Sequence, residues 1–181
     1  MTPDREAQLE TALAKLPRVQ LASIRPTPLE PMARLSALLG GPNLYIKRDD
    51  LTGLAFGGNK TRMLELSLAD AQAQGAEVIV CGSAVQSNYC RQMAAACAKL
   101  DLELHLILRP VRDVDHKEVQ GNHLLMRLFG ANVEVLPDAE RHMQAERLRQ
   151  RAEQLRTQGR KVYVPREGKT TTSVALARIA G

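Results

Sequence analysis

An α/β fold, an open parallel sheet covered by helices, is the class this sequence predicts. Two observations carry it. Apolar runs at 77–81, 103–108, 132–135 and 161–164 alternate with helical patterns near 87–100, 117–129 and 139–157. Strands that alternate with helices pair in parallel and place the helices on the sheet faces. Gly130 and Gly159 stand where two of those helices should stop, because glycine accepts the left-handed backbone that ends a helix.

The elements follow in chain order. Thr2-Pro3 reads as an N-cap and first helical position, and that helix closes before Pro17. Residues 18–31 are extended and punctuated by proline. Residues 32–39 form a short helix ended by Gly40-Gly41-Pro42, and 44–48 form a strand. A loop follows, then a helix over 61–74 with Gly75 just past its end. The regular alternation starts at 77. The helix at 139–157 carries a narrow apolar stripe, Met143, Leu148, Ala152 and Leu155, among many Arg and Glu. It belongs on the outside of the sheet. A last helix, capped by Thr170, runs to Gly181.

Composition bounds the rest. The chain has 181 residues, 44% of them hydrophobic, with 3 Tyr, 2 Phe and no Trp. That length suits one domain or one domain plus part of another, with an aliphatic core. The net charge of +5 comes from acidic and basic residues in mixed order. With no aromatic platform for stacking bases, a nucleic-acid role is not expected. No apolar run reaches membrane length, and the start of the chain has no signal-peptide pattern. Cys81, Cys90 and Cys97 form no CxxC pair. They read as buried small hydrophobes of a reducing cytoplasm, with a reactive thiol at Cys90 as the other reading.

Two stretches carry chemistry. Phe56-Gly57-Gly58-Asn59-Lys60-Thr61-Arg62 delivers one lysine to a helix start, after the charged run Lys47-Arg48-Asp49-Asp50. On the residues alone, Lys60 is either a surface lysine in a glycine turn or an amine freed by desolvation for Schiff-base chemistry. Gly82-Ser83-Ala84-Val85-Gln86-Ser87-Asn88 joins a strand to a helix. Ser87 or Asn88 reads as an N-cap, and the N–H donors at such a helix start can also hold a carboxylate or phosphate.

Other signals point nowhere further. Gly168-Lys169-Thr170 looks like the end of a P-loop, but Tyr163 stands where the first glycine is required. His105, His116, His123 and His142 have no metal-ligand spacing. Asp49-Asp50, beside Lys47 and Arg48, reads as a local ion-pair network.

Joined at this spacing, Phe-Gly-Gly-Asn-Lys-Thr-Arg and Val-Gln-Ser-Asn-Tyr-Cys-Arg-Gln resemble the D-cysteine desulfhydrase and 1-aminocyclopropane-1-carboxylate deaminase family of pyridoxal-phosphate enzymes. Pro26-Thr27-Pro28-Leu29, Ile46-Lys47-Arg48-Asp49-Asp50 and Gly121-Asn122-His123-Leu124-Leu125 agree, so the resemblance runs from about Arg25 to Val164. It implies a fold type II architecture. Residues 1–60 would be the N-terminal part of a large domain, 61–168 a small α/β domain, and 169–181 the start of a return to the large one. It implies pyridoxal 5'-phosphate held by Lys60, with Asn59 beside it and Asn88 on the ring oxygen. Ser87 becomes a nucleophile or proton-transfer group, and Ser87-Asn88-Tyr89 receives the substrate carboxylate. The implied substrate is a small amino acid: D-cysteine, giving pyruvate, sulfide and ammonia, or 1-aminocyclopropane-1-carboxylate. Family members continue into a second lobe that carries the phosphate-gripping loop. The expectation is therefore a homo-oligomer, or a partner chain that supplies that lobe. The other reading is a non-catalytic homologue that serves as an interaction module.

Overall fold

The computed structural model describes residues 3–112 and 117–165. The expected helix after Thr170, the Gly168-Lys169-Thr170 stretch and His116 lie outside them.

The chain opens with α1 (Pro3–Ala14), then an irregular segment, β1 (Leu29–Pro31), α2 (Ala33–Leu39) and β2 (Tyr45–Lys47). β1 and β2 pair antiparallel, Leu29 opposite Lys47. Gly40 closes α2 in the left-handed conformation, as its position predicts. Two short 3₁₀ turns, Asp49–Thr52 and Leu54–Phe56, lead into α3 (Lys60–Ala73). Leu, Met, Ala and Glu favour helix there, and nine of its side chains are buried, among them Leu64, Glu65 and Leu68. It is a core helix rather than a surface one.

The α/β part follows as β3 (Val78–Cys81), α4 (Asn88–Lys99), β4 (Glu103–Leu108), α5 (Gly121–Leu128), β5 (Asn132–Val135), α6 (Gln144–Thr157) and β6 (Val162–Tyr163). The sheet has the order β5-β4-β3-β6, with every pair parallel. This is the expected open parallel sheet. β4 lies on one side of β3 and β6 on the other, so the strand order switches direction at β3. Ligands in such sheets sit beyond the carboxyl ends of the strands at that switch. The loop after β3 is the one that ends at Ser87.

The core is aliphatic. On one face Ile79, Cys81, Leu104, Leu106 and Leu108 meet Leu64 and Leu68 of α3, Met93 and Ala96 of α4, and Met126 of α5. On the other face Val78 and Val80 meet Ala152 and Leu155 of α6, two residues of the predicted stripe. A fully buried Leu contributes about 1.5–3 kcal/mol, so these layers supply much of the cohesion. Cys81, Cys90 and Cys97 are all buried in the first cluster. No helix of the described residues is long and apolar enough to cross a membrane.

Several boundaries differ from expectation, three of them with a visible cause. The helix predicted over 117–129 starts only at Gly121, because Gln120 is extended (φ −137°, ψ 168°) and Gly121 is left-handed (φ +55°). The helix predicted over 139–157 begins as a 3₁₀ turn, Asp138–Met143. Its regular part starts at Gln144, whose amide donates to the carbonyls of Ser83 (2.8 Å) and Ile107 (2.7 Å). The strand predicted over 161–164 is only two residues long, as it pairs with β3 at Val78 and Ile79 alone.

Candidate active site

β3 ends in the fully buried Val80 and buried Cys81, and the chain then turns through Gly82 to α4. Ser87 is the N-cap of that helix, extended at φ −68°, ψ 124°. Its Oγ accepts the Cys90 N–H at 3.3 Å. The capping role read from the sequence is therefore present, and the hydroxyl keeps its own hydrogen to donate. Asn88 is exposed at the first helical position. Tyr89 is half-buried against the core.

The lysine loop is an unusual piece of backbone. Ala55 (φ 48°), Phe56 (φ 67°), Gly57 (φ 73°) and Gly58 (φ 131°) follow one another at positive φ. For Ala55 and Phe56 this conformation is strained, and Phe56 is left 75% exposed. Gly57 cannot carry a side chain, since a Cβ there would overlap the Asp50 carbonyl oxygen. The Gly58 N–H donates to the Asp49 carbonyl (2.9 Å) and to Thr52 Oγ1 (3.0 Å). Asn59, exposed, precedes the half-buried Lys60, the first residue of α3.

Hydrogen bonds join the two stretches. The Gly57 carbonyl accepts from the Arg91 guanidinium (2.9 Å) and from Gln92 Nε2 (3.2 Å). The Thr61 hydroxyl donates to Gln92 Oε1 at 2.8 Å. The residues on either side of Lys60 are thus fastened to α4, one turn after Ser87, Asn88 and Tyr89. Burial lowers the pKa of Arg91.

A third stretch closes the group. The Asn122 N–H donates to Gln86 Oε1 (2.9 Å), and Asn122 Nδ2 donates to the Gln86 carbonyl (2.8 Å) and to Asn88 Oδ1 (3.0 Å). Gln86 Nε2 donates to the Gln120 carbonyl at 3.1 Å. The start of α5 therefore abuts the start of α4.

Asp49 and Asp50 form ion pairs, Asp50 with its neighbour Arg48 and Asp49 with the more distant Arg62. The Arg62 guanidinium spans both oxygens of Asp49 (2.8 and 2.6 Å), and Thr27 Oγ1 joins them. Arg62 first, then Thr27, holds the Asp49 carboxyl below its usual range against the opposing effect of burial. Arg48 bridges Asp50 and Glu30. Among the histidines, His105 meets Glu103 at 2.7 Å and His123 meets Arg127 at 3.0 Å. Among the described residues no group of His, Cys, Asp and Glu can hold a metal ion. Gln92 and Asn122 escaped the sequence reading as site residues, although both lie in its motifs. Glu65 gave no signal at all. It is fully buried in α3, and its Oε1 accepts the Leu21 and Ala22 N–H groups at 3.2 and 3.0 Å.

Comparison with known proteins shows the family and the fold. The family profile described as "Pyridoxal-phosphate dependent enzyme" matches residues 21–180. The D-cysteine desulfhydrase of Serratia proteamaculans is 41% identical over 173 residues, covering 94% of this chain and 51% of that protein. The D-cysteine desulfhydrase of Yersinia enterocolitica is 42% identical with the same coverage. A solved structure described as an ACC deaminase homologue superposes with a TM-score of 0.81 at 36% identity. It covers 99% of this chain and 52% of that one. Diaminopropionate ammonia lyase of Escherichia coli, in apo form, shares the fold at a TM-score of 0.64 and 19% identity, over 96% of this chain and 49% of its own. This chain spans about half the length of the relatives it matches. It belongs to the family of pyridoxal-phosphate dependent enzymes.

Proposed function

We propose that this chain carries the lysine-bearing part of a lyase acting on a small amino acid. D-cysteine is the preferred substrate, converted with water to pyruvate, sulfide and ammonia. The likeness to two D-cysteine desulfhydrases supports the substrate. One structural observation supports the chemistry: the Gly57 carbonyl is held by Arg91 and Gln92. Those bonds seat the lysine loop against the helix that Ser87, Asn88 and Tyr89 begin.

The residues suit the cofactor. Gly57 and Gly58 keep the loop free of side chains, and a Cβ on Gly58 would run into the Gln92 amide. The loop can therefore approach α4 closely and bring Lys60 with it. When bound, pyridoxal 5'-phosphate supplies an aldehyde for the amine and a ring that accepts electron density. Lys60 Nζ would hold the cofactor, with Asn59 as its neighbour on the loop. Lys60 Nζ, when not holding the cofactor, would be the base that moves a proton. Ser87 Oγ, already accepting the Cys90 N–H, has a hydrogen to give and is the second candidate for that transfer. Asn88 would contact the cofactor ring oxygen, and the N–H donors at the start of α4 would favour the substrate carboxylate.

A second substrate, 1-aminocyclopropane-1-carboxylate, is favoured by the likeness to the ACC deaminase homologue. A partner is part of the same reading. α2 buries none of its side chains, and Leu29, Leu38, Leu39 and Tyr45 are exposed around it. This face, in the segment assigned to the large domain (1–60), suits polypeptide equivalent to the other half of the relatives, or a second copy. Three buried thiols without a disulfide fit a reducing, cytoplasmic setting.

The test is to load the purified chain with pyridoxal 5'-phosphate, reduce it with borohydride and locate the adduct by mass spectrometry. Sulfide release from D-cysteine is followed alongside. The expected adduct lies on Lys60 and is lost in Lys60→Ala. An adduct elsewhere, or none, removes the reading and leaves a non-catalytic interaction module.

A further inference from the structure

Asn122 has no part in the chemistry above, yet it touches the side chain assigned to the cofactor ring oxygen. The network around it fixes the direction of each amide. A backbone carbonyl can only accept, so the Asn122 atom 2.8 Å from the Gln86 carbonyl is its NH₂ nitrogen. The same nitrogen lies 3.0 Å from the Asn88 amide. A second NH₂ group there would set donor against donor, so the Asn88 atom that faces Asn122 is the oxygen. Asn122 is itself oriented twice over. Its N–H is taken by Gln86 Oε1, and that oxygen is identified because Gln86 Nε2 is bound to the Gln120 carbonyl. Gly121 makes the arrangement possible: its φ is +55°, and a Cβ there would lie 2.7 Å from Gln86 Oε1.

We propose that Asn122 is a positioning residue: it turns the Asn88 oxygen toward α5 and leaves the Asn88 NH₂ group as the face offered to a ligand. The position at Asn88 then selects an oxygen acceptor, best an anionic one such as a phenolate or a carboxylate. A donor group on the ligand would meet no acceptor there. The inference rests on the reading of Asn88 as the ring-oxygen contact. It goes further by saying which end of Asn88 acts and what sets it.

A residue that only staples α5 to α4 would change stability alone. The test therefore compares Asn122→Ala and Asn122→Asp, each with and without Asn88→Ala. Pyridoxal 5'-phosphate is the probe, and its dissociation constant is read by titration. Asp accepts but does not donate, so it would draw the Asn88 NH₂ inward and present the oxygen to the ligand. The expected result is about tenfold weaker binding in Asn122→Ala, the share of one hydrogen bond to a charged group, and a larger loss in Asn122→Asp. Neither substitution should weaken binding further once Asn88 is Ala. Equal losses with and without Asn88, or none, would overturn the proposal. The ligand-free chain gives an independent answer by NMR of side-chain amides. The Asn88 NH₂ should be rigid in the parent and mobile in Asn122→Ala, and an unchanged Asn88 signal overturns the proposal whether or not cofactor binds. Loss of the Lys60 adduct in the parent chain, by contrast, would count against the cofactor reading.

Discussion

Replacing Gln92 by Leu tests the joint between the lysine loop and α4. Gln92 is fully buried, and its amide makes two bonds, to the Gly57 carbonyl and from the Thr61 hydroxyl. Leu fills similar space, so a cavity term is small. The Gly57 carbonyl keeps its Arg91 donor. The Thr61 hydroxyl, itself fully buried, keeps Thr52 Oγ1 at 3.3 Å. Neither partner is orphaned, so the cost is the net value of two bonds, about 1–3 kcal/mol. For a chain of 181 residues, at about 2–4 °C per kcal/mol, that is a fall in Tm of about 2–12 °C, measured by thermal circular dichroism. Gln92→Glu sharpens the test. It still accepts from Thr61, but it sets a buried carboxylate against the Gly57 carbonyl, and should be less stable than Gln92→Leu. A Leu variant that melts with the parent, or a Glu variant more stable than the Leu one, would show that the joint is not built as described.

Two further outcomes are expected. Arg62, then Thr27, depresses the Asp49 carboxyl, so its stabilisation is present above the unfolded value of about 3.9 and lost as pH falls through the lower folded one. Melting curves taken from pH 7 downward should show Asp49→Asn less stable than the parent at neutral pH and converging with it in acid; parallel curves would contradict this. The thiols should be inert in the folded chain. Burial pushes Cys97 up to about 12, the Cys90 contact and burial raise Cys81, and Cys90 itself has no exposed surface. A thiol reagent at pH 8 should label no cysteine without denaturant. Rapid labelling at Cys90 would restore the reactive-thiol reading.

Much of the fold was legible because it is periodic. The runs 103–108 and 132–135 are β4 and β5 to the residue, since apolar β-formers bounded by turn residues have few alternatives. The start of α5 was not legible. Lys117 to Gln120 suit a helix locally, but the chain there is drawn toward Gln86, 34 residues away, and Gly121 takes the bend. The same reason separates the two halves of the site. Lys60 and Ser87 stand in compact motifs that a reader can see. Gln92, Asn122 and Glu65 act across 31 to 44 residues through a few polar bonds each. Such contacts have no period, and a buried Glu in a run of leucines looks like a solvated one until the chain is folded.

Glu65 has a consequence for motion. It lies on the same rod as Lys60, about 7.5 Å further along the helix axis, and grips the backbone at Leu21 and Ala22, with the Arg25 guanidinium against its other oxygen. One end of α3 carries the amine and its middle clamps the incoming chain. The segment before β1 is thereby tied to the helix that begins at Lys60, so a disturbance at residue 21 reaches that helix through hydrogen bonds rather than through solvent.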